Sequence, residues 1–419
     1  MCVCEHLSNS LSDLCALCSL QNTCFWVQTS IVELMRKYHF DTLASKIAFV
    51  FMCYIVAAAS FGGFFEKWAF RDGMAYSAIE MMEGESKRPF VYRQLFPTTA
   101  NLVNELVPQE INNKFAAWLA ADPMKRNFIY RYFSNAKDST NSEYVLRYYV
   151  LFAMCFASYF FGVLALRAVC LEFYPDKVAA TLAAFSIALI FPMLTTEGGY
   201  MYDMAELLFM ALAVLLAAKG RLFWLALVVG VATFNKESFL LFVFALYPFI
   251  RARFSLKQTV GIGSLLLGIS AAVNLAVKFY YADNPGGFVV NQLPDHIYWL
   301  LDPRSYFLFE VNYGAVTTKG FNVIHLIIVA FIVRSAWRYL SPILRQHVLI
   351  AAAINIPFFI VFCYQGELRN LSMLFVGFTL MISIAISRYL QRMYQPSELK
   401  AATSSQVSTP SANDPSHER

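Results

Sequence analysis

Long apolar runs separated by short polar connections dominate the chain between residues 46 and 390. A helix that crosses the roughly 30 Å hydrocarbon core of a bilayer needs about 20 mostly apolar residues. Runs that fit or approach this length are 46–65, 145–168, 177–195, 204–218, 222–234, 238–250, 258–281, 321–340, 347–364 and 371–390. The pattern therefore predicts an all-α, polytopic membrane protein with about ten transmembrane spans.

The apolar stretch 222–250 is interrupted by three polar residues, Asn235, Lys236 and Glu237. The segments on either side are short, about 20 Å each at about 1.5 Å per helical residue. One interpretation is a hairpin that turns at these three residues, and the other is a single long helix that would invert all downstream topology. Because Lys and Arg accumulate in cytoplasmic loops, the basic cluster at 251–257 favours the hairpin.

The same distribution of basic residues predicts cytoplasmic N- and C-termini. Two long connections, 66–144 and 282–320, then fall on the outer side. The first contains amphipathic pieces such as 113–133, which are expected to form helices in the membrane interface. Residues 391–419 are polar and rich in Ser, Thr and Pro, so we expect a disordered cytoplasmic tail.

Residues 1–45 precede the first span and contain five of the nine cysteines. One interpretation is a metal site formed by Cys2, Cys4, His6, Cys15 and Cys18. The spacing is irregular and no second CxxC is present, so we favour an over-long reading frame whose natural start is Met35. The other four cysteines lie in apolar runs, and no disulfide framework is predicted.

Composition agrees with a membrane protein. Hydrophobic residues make up 58% of the chain and charged residues 15%, against roughly 25% charged residues in soluble domains. The net charge of +5 arises from cations at the ends of apolar segments rather than from one basic face. Nucleic acid is therefore not an expected partner.

Polar residues gather in five connections on the predicted outer side. These are 68–84, 87–97, 195–208, 235–237 and 364–372. Each cluster alone also fits an ordinary helix cap, a solvated turn or an interfacial anchor. Because ionisable groups at membrane depth are retained mainly where they face a polar cavity or one another, their common side predicts an outward-facing polar pocket.

The pocket would contain carboxylates beside Lys and Arg. Arg and Lys bind phosphate oxygens, and a carboxylate can deprotonate an acceptor hydroxyl. These residue types suit transfer from a membrane-embedded phospholipid donor to an acceptor that arrives from outside. They would equally serve a transporter of an anionic solute, so residue types alone leave both functions open.

Five short motifs resemble those of GT-C-type polytopic glycosyltransferases, in particular an uncharacterised bacterial branch. They are RDGMAY (71–76), VYRQLFP (91–97), YMYD (200–203), NKE (235–237) and GELRN (366–370). Together with the spans they cover about 46–390. Enzymes of this class use polyprenyl-phosphate-linked sugars, so the resemblance implies such a donor. A bacterial inner membrane is the location that the same resemblance implies.

The resemblance also implies residue roles. Asp72 would be the general base or the carboxylate that orients the acceptor. The donor phosphate would be bound by Arg93, Lys236 and Arg369. Orienting or sugar-binding roles would belong to Tyr92, Tyr202, Asp203, Asn235, Glu237 and Glu367. Many family members have two adjacent acids in the first loop, whereas Gly73 follows Asp72 here, so a bound divalent cation is left open.

The leading hypothesis is a membrane glycosyltransferase that moves a sugar from a polyprenyl-phosphate donor to an envelope acceptor at the outer face. Its partners would be the lipid-linked sugar, membrane lipid and the acceptor. A flippase or secondary transporter is the first alternative, and a glycan polymerase is the second. Internal repeats and polar residues on both faces are common in transporters, and neither is found in the sequence, which favours the transferase.

Overall fold

The computed structural model describes residues 43–68, 70, 77–133, 135–136, 138–195, 198–287, 291–312 and 315–394. The chain divides into two compact units, Met1–Tyr54 and Ile55–Arg419, and the first described helix crosses that boundary. The cysteine-rich part of the N-terminal extension, Asp72 and the tail from residue 395 lie outside the described residues. Predictions that concern them remain predictions.

Helices account for most of the described chain. In chain order they are α1 (Leu43–Trp68), α2 (Ala78–Glu83), α3 (Leu95–Leu106), α4 (Gln109–Ala120), α5 (Pro123–Arg126), α6 (Phe128–Tyr132), α7 (Val145–Phe173), α8 (Lys177–Leu194), α9 (Met201–Lys219), α10 (Leu222–Asn235), α11 (Phe239–Ala245), α12 (Tyr247–Arg251), α13 (Leu256–Tyr280), α14 (Leu293–Leu301), α15 (Val323–Ala336), α16 (Pro342–Phe362) and α17 (Phe375–Tyr394). Short 3₁₀ helices cover Phe90–Tyr92, Pro303–Phe307, Trp337–Tyr339 and Leu368–Leu374.

Seven helices in the described part are long and apolar enough to cross a membrane. They are Leu43–Phe65, Val145–Phe173, Lys177–Leu194, Met201–Lys219, Leu256–Tyr280, Pro342–Phe362 and Leu368–Met393. A multi-pass membrane protein is therefore supported, but the expected count of about ten spans is not confirmed. The difference arises at α10 and α15, which have 14 residues each, and at α11 and α12, which are separated at Leu246.

The predicted interruption of 222–250 is present. Helix α10 ends at Asn235, and α11 begins at Phe239. Lys236 has extended backbone angles, so the chain leaves the helical path at the three polar residues. A single continuous helix through 222–250 is excluded by this break.

A small β-hairpin makes the fold nearly, rather than strictly, all-α. Strand β1 (Phe309–Asn312) pairs antiparallel with β2 (Ala315–Thr318), with Phe309 opposite Thr318. Both strands lie in the connection 282–320, where the sequence analysis expected only a loop. β-branched Val and Thr favour the extended backbone, but four residues per strand give too short a pattern to predict. Glu310 of β1 pairs with Lys67 near the end of α1.

Helix α9 is the most buried of the seven long apolar helices. It packs against α7 and α10. Gly162 of α7 lies at this crossing, where an added Cβ would meet the backbone of Leu208 at 3.7 Å, an ordinary contact distance. Small residues are common at helix crossings. Acidic residues in the first turns of α9 are consequently placed inside the protein.

The connection between α1 and α7 contains helices α2–α6 and is anchored to α7 by Arg147. The guanidinium of Arg147 donates to Glu83 Oε1 at 2.6 Å and to Asn101 Oδ1 at 3.3 Å. Helix α3 packs against α7 and α10. The segment that leads into α3 carries Arg93, so this packing determines where Arg93 lies.

Candidate functional site

Four separate parts of the chain meet at one ionic cluster. They are the segment before α3, the start of α9, the break after α10 and the 3₁₀ segment Leu368–Leu374. Helices α9 and α10 are consecutive in the chain and pack against each other in opposite directions, so the start of α9 lies beside the end of α10. The structure thus brings together polar residues from distant connections, which are described below.

Two glycines make room for the turn that precedes α9. A Cβ on Gly198 would lie 2.7 Å from Oε1 of Glu367, and a Cβ on Gly199 would lie 2.5 Å from the ring of Phe64. The turn then enters α9 through a reciprocal cap, in which the backbone N–H of Tyr200 donates to Asp203 Oδ2 at 2.9 Å. The cap leaves the other oxygen of Asp203 available to cations.

Four ionisable side chains form a buried inner group, which we call the inner quartet: Asp203, Glu206, Lys236 and Arg369. Each is between 3% and 5% exposed. Lys236 Nζ donates to Glu206 Oε2 at 2.6 Å and lies 3.5 Å from Asp203 Oδ1. Arg369 Nη1 donates to both oxygens of Asp203, at 3.1 and 3.2 Å. Two cations thus balance two carboxylates, which is the condition under which charge can be buried.

Glu206 belongs to this quartet although it was not among the expected site residues. Its Oε1 accepts hydrogen bonds from Ser372 at 2.8 Å and Ser238 at 3.2 Å. It follows Asp203 by three residues, so both carboxylates lie on one face of α9. That helical spacing was the available signal, but the resembling motif ends at Asp203.

Arg93 and Glu237 form a second, more accessible ion pair. Arg93 Nη2 and Nε donate to the two carboxylate oxygens of Glu237 at 3.0 and 3.2 Å. The side chain of Arg93 is 11% exposed and that of Glu237 is 26% exposed. Arg93 also donates to the hydroxyl of Tyr202, and its guanidinium lies 4.5 Å from that ring's centroid.

The ion pair changes the proton affinity of both partners. Burial raises the pKa of the Glu237 carboxyl, but the charge and hydrogen bonds of Arg93 together bring it below its usual value. Burial likewise lowers the pKa of Arg93, and Glu237 and Tyr202 more than reverse that effect. Glu237 is therefore a carboxylate, and Arg93 a guanidinium, at neutral pH.

Glu367 lies beside Arg369 at the edge of the cluster. Arg369 Nη2 donates to Glu367 Oε1 at 3.2 Å, and the side-chain amide of Asn370 donates to Oε2 at 2.7 Å. The Nε of Arg369 is buried and has no hydrogen-bond partner among the described residues. Among the described residues this donor is therefore unused, and it is shielded from solvent.

These groups line a cavity of about 250 Å³. The polar side is formed by Arg93, Lys236, Glu237, Glu367 and Arg369, and the cavity is also lined by Phe90, Phe358, Phe362 and Cys363. Polar and apolar walls face the same space. Such a cavity suits a ligand that has both an anionic group and an apolar part.

Asn235 has a structural position in the site. Its side-chain amide donates to the backbone carbonyl of Tyr202 at 2.9 Å, which ties the end of α10 to the start of α9. The rings of Tyr200 and Tyr202 stack with centroids 5.1 Å apart, and Arg369 lies over Tyr200. The aromatic pair thus separates Arg93 from Arg369.

Tyr92 does not join the cluster. It is buried, its ring lies near Lys278 Nζ at 5.8 Å, and it does not line the cavity. The 3₁₀ helix Phe90–Tyr92 sends consecutive side chains in different directions, so Tyr92 and Arg93 diverge. The expected sugar-binding role of Tyr92 has no support from its position. Asp72 lies outside the described residues.

Lys236 Nζ occupies the space between the carboxylates of Asp203 and Glu206. Within the described residues no group of three or more His, Cys, Asp or Glu side chains is arranged to hold a metal ion. The arrangement present there is an ion-pair network in which each cation is paired with a carboxylate.

Replacement of Gly199 by alanine is expected to destabilise the protein by about 1–3 kcal/mol, because the new methyl would overlap the Phe64 ring and lie 2.9 Å from Trp68. Gly230→Ala is the matched control, since its Cβ would have only Ile269 within 4 Å, at 3.6 Å, and alanine favours the α10 helix. Unfolding in mixed micelles with increasing denaturing detergent would measure both. Equal tolerance of the two substitutions would contradict this account of the turn.

Comparison with known proteins adds no relative: no protein-family model, curated protein or solved structure matches this chain.

Proposed function

We propose that this protein is a membrane glycosyltransferase that moves a sugar from a polyprenyl-phosphate donor to an envelope acceptor at the outer face of the membrane. The observation that supports this best is the mixed cavity, in which Arg93 and Arg369 face a space also lined by Phe358 and Phe362. A sugar phosphate would lie against the arginines, and the first isoprene units of the carrier would lie along the apolar wall. The acceptor hydroxyl would be deprotonated by Asp72.

The contacts divide the three expected phosphate ligands into two kinds. Arg369 has an unpartnered Nε, and Arg93 is paired with the more exposed carboxylate, Glu237. Arg93 is the better suited of the two to contact the phosphate directly, whereas direct contact by Arg369 would require its shielded Nε to become exposed. Lys236 is 5% exposed and already bridges two buried carboxylates, so its proposed role is to position the first turns of α9.

Charge balance sets a condition on donor binding. Arg93, Lys236 and Arg369 contribute +3, and Asp203, Glu206, Glu237 and Glu367 contribute −4, so these seven side chains sum to −1. A phosphate would add further negative charge. We propose that the phosphate displaces Glu237 from Arg93, since both would compete for the same planar fork of N–H groups. A divalent cation that enters with the donor would lower the same cost.

Transfer activity can be tested in detergent, where transport across a membrane has no meaning. Purified protein would be incubated with a labelled polyprenyl-phosphate sugar and a crude envelope extract, and release of free polyprenyl phosphate would be measured. Turnover would support the transferase and count against a flippase or secondary transporter. Product length on a gel would separate single transfer from a glycan polymerase.

Arg93→Gln is expected to lower kcat/KM for the donor by about 10- to 100-fold, because loss of a charge-assisted contact costs about 1.5–3 kcal/mol. Arg126→Gln is the control, since Arg126 is exposed and is not among the cavity-lining residues. Donor-concentration series for the two variants and the parent protein would give the ratio. An unchanged kcat/KM in Arg93→Gln would remove Arg93 from the donor site.

A further inference from the structure

A second cavity, of about 680 Å³, lies between α15 and α17. From Phe375, next to the ionic cluster, to Arg392 the α17 helix advances about 26 Å at 1.5 Å per residue. The cavity is lined by the last third of α15, the 3₁₀ helix Trp337–Tyr339 and residues 382–392 of α17. It is therefore distinct from the candidate active site, at the other end of the same helix.

Four arginines line this second cavity, and no carboxylate among the described residues does. They are Arg334, Arg338, Arg388 and Arg392. None of the four forms an ion pair with a carboxylate in the part of the chain that the structure describes. In the ionic cluster, by contrast, Arg93, Lys236 and Arg369 are all paired with acids. The second cavity thus presents positive charge that the described protein does not neutralise.

The arginines are gathered around one aromatic ring. The guanidinium of Arg388 lies 4.2 Å from the ring centroid of Tyr339, and that of Arg338 lies 4.8 Å from it. Arg388 Nη2 donates to the Tyr339 hydroxyl at 3.3 Å, and Arg388 Nε is buried with no partner among the described residues. The hydrogen bond from Arg388, with the nearby charges, lowers the pKa of Tyr339. Contacts with Tyr339 therefore hold Arg338 and Arg388 in place, and their positive charges attract anions.

One acidic group that contacts α17, Asp176, already has hydrogen-bond partners. Asp176, which caps α8, accepts from Ser387 of α17 at 2.6 Å through Oδ2. Its Oδ1 accepts from the backbone N–H groups of Val178 and Ala179. Asp176 therefore does not serve as the counter-ion of the four arginines.

Apart from Ser335 and two tyrosines, the remaining wall of the cavity is apolar. It is formed by Phe331 and Ile332 of α15 and by Ile382, Ala385 and Ile386 of α17. A free phosphate ion would use the arginines but leave this wall in contact with water. A phospholipid would use both, because its phosphate would contact the guanidinium groups while an acyl chain covers the isoleucines.

We propose that the groove between α15 and α17 binds an anionic phospholipid, with its headgroup phosphate held by Arg338 and Arg388 and one acyl chain along α17. The lipid would act as the counter-ion for arginines that the protein itself leaves unneutralised. It would also fill the groove that these two packed helices form. This site is independent of the proposed transfer reaction.

Native mass spectrometry of the full chain in detergent provides the test. The protein would be titrated with phosphatidylglycerol and, separately, with zwitterionic phosphatidylcholine. The parent protein is expected to retain phosphatidylglycerol at concentrations at which it retains no phosphatidylcholine. Equal retention of both lipids, or of neither, would overturn the proposal.

Arg338→Gln/Arg388→Gln is expected to weaken phosphatidylglycerol retention by about tenfold or more, since each basic residue near a lipid phosphate contributes to binding. Arg221→Gln/Lys257→Gln removes the same charge from exposed residues outside the groove and should change retention by less than about twofold. Equal weakening in the two variants would show a general charge effect and contradict the site.

A replacement variant and a competition with inorganic phosphate complete the experiment. If Arg338→Gln/Arg388→Gln is not monodisperse, Arg334→Gln/Arg392→Gln replaces it, because both of these arginines are exposed. Inorganic phosphate at millimolar concentration is expected not to displace the lipid. Displacement by phosphate would assign the arginines to a free anion and overturn the lipid assignment.

Discussion

Replacement of Lys236 by methionine is expected to lower the free energy of unfolding by about 3–5 kcal/mol, the largest stability effect predicted for this protein. Methionine conserves much of the side-chain volume, so the loss would come from charge. It would leave Glu206, which is 4% exposed, without a cation, and Asp203 with Arg369 alone. Unfolding in mixed micelles, followed by tryptophan fluorescence, would measure the change.

Two companion variants identify the cause. Lys114→Met removes an exposed lysine that pairs with Glu110, and it should cost less than about 0.5 kcal/mol. The double variant Lys236→Met/Glu206→Gln removes one charge of each sign, so the quartet stays electrically neutral. The double variant should therefore be more stable than the sum of its single substitutions predicts. Additive losses, or a cost for Lys236→Met no greater than for Lys114→Met, would refute electrostatic coupling in the quartet.

Asp72→Asn is expected to reduce sugar transfer at least about 100-fold while the protein remains folded, because removal of a general base typically costs 10²–10⁴-fold. Asp72 itself lies outside the described residues. Its neighbour in the chain, Trp68, lies against Gly199 in the turn that leads into α9. Trp68, four residues before Asp72, therefore lies next to the turn that precedes α9.

Glu85→Gln is the control for Asp72→Asn, since Glu85 is an exposed acid in the same connection. Release of polyprenyl phosphate from the labelled donor would be compared at saturating donor, together with elution profiles in detergent. An Asp72→Asn protein that elutes normally and retains activity would exclude Asp72 from the chemistry. Loss of both activity and normal elution would assign Asp72 to the fold instead.

The sequence predicted the helical class and the long spans well, because each long span produces its own apolar pattern. The break at Asn235–Glu237 was equally local, since an amide, an ammonium and a carboxylate interrupt two apolar runs. The count of spans is not confirmed, and the difference arises where helices are short. Apolar composition alone does not distinguish a crossing helix from one of 14 residues, such as α15, that ends in a 3₁₀ turn.

The site could be predicted as a neighbourhood but not as a set of contacts. Charged residues at membrane depth had to find partners, and that requirement correctly grouped Asp203, Lys236 and Arg369. The pairing of each acid with a cation depends on how the helices rotate and cross. Helix rotation and crossing cannot be predicted from neighbouring residues in the sequence alone. Glu206 was therefore placed in the polar segment 195–208 but given no role, and Tyr92 was included only because it adjoins Arg93 in a motif.

The inner quartet also constrains the order in which this protein can be assembled. Ribosomes deliver Asp203, Glu206 and Lys236 first, and these three sum to −1. Neutrality arrives only when Arg369 is synthesised, far later in the chain. An unbalanced charge is costly in lipid. We therefore expect the start of α9 and the end of α10 to stay in contact with water or with the insertion machinery until Arg369 is present. The inner quartet is then expected to become buried only after the last candidate span, which begins with Leu368 and carries Arg369, has been synthesised.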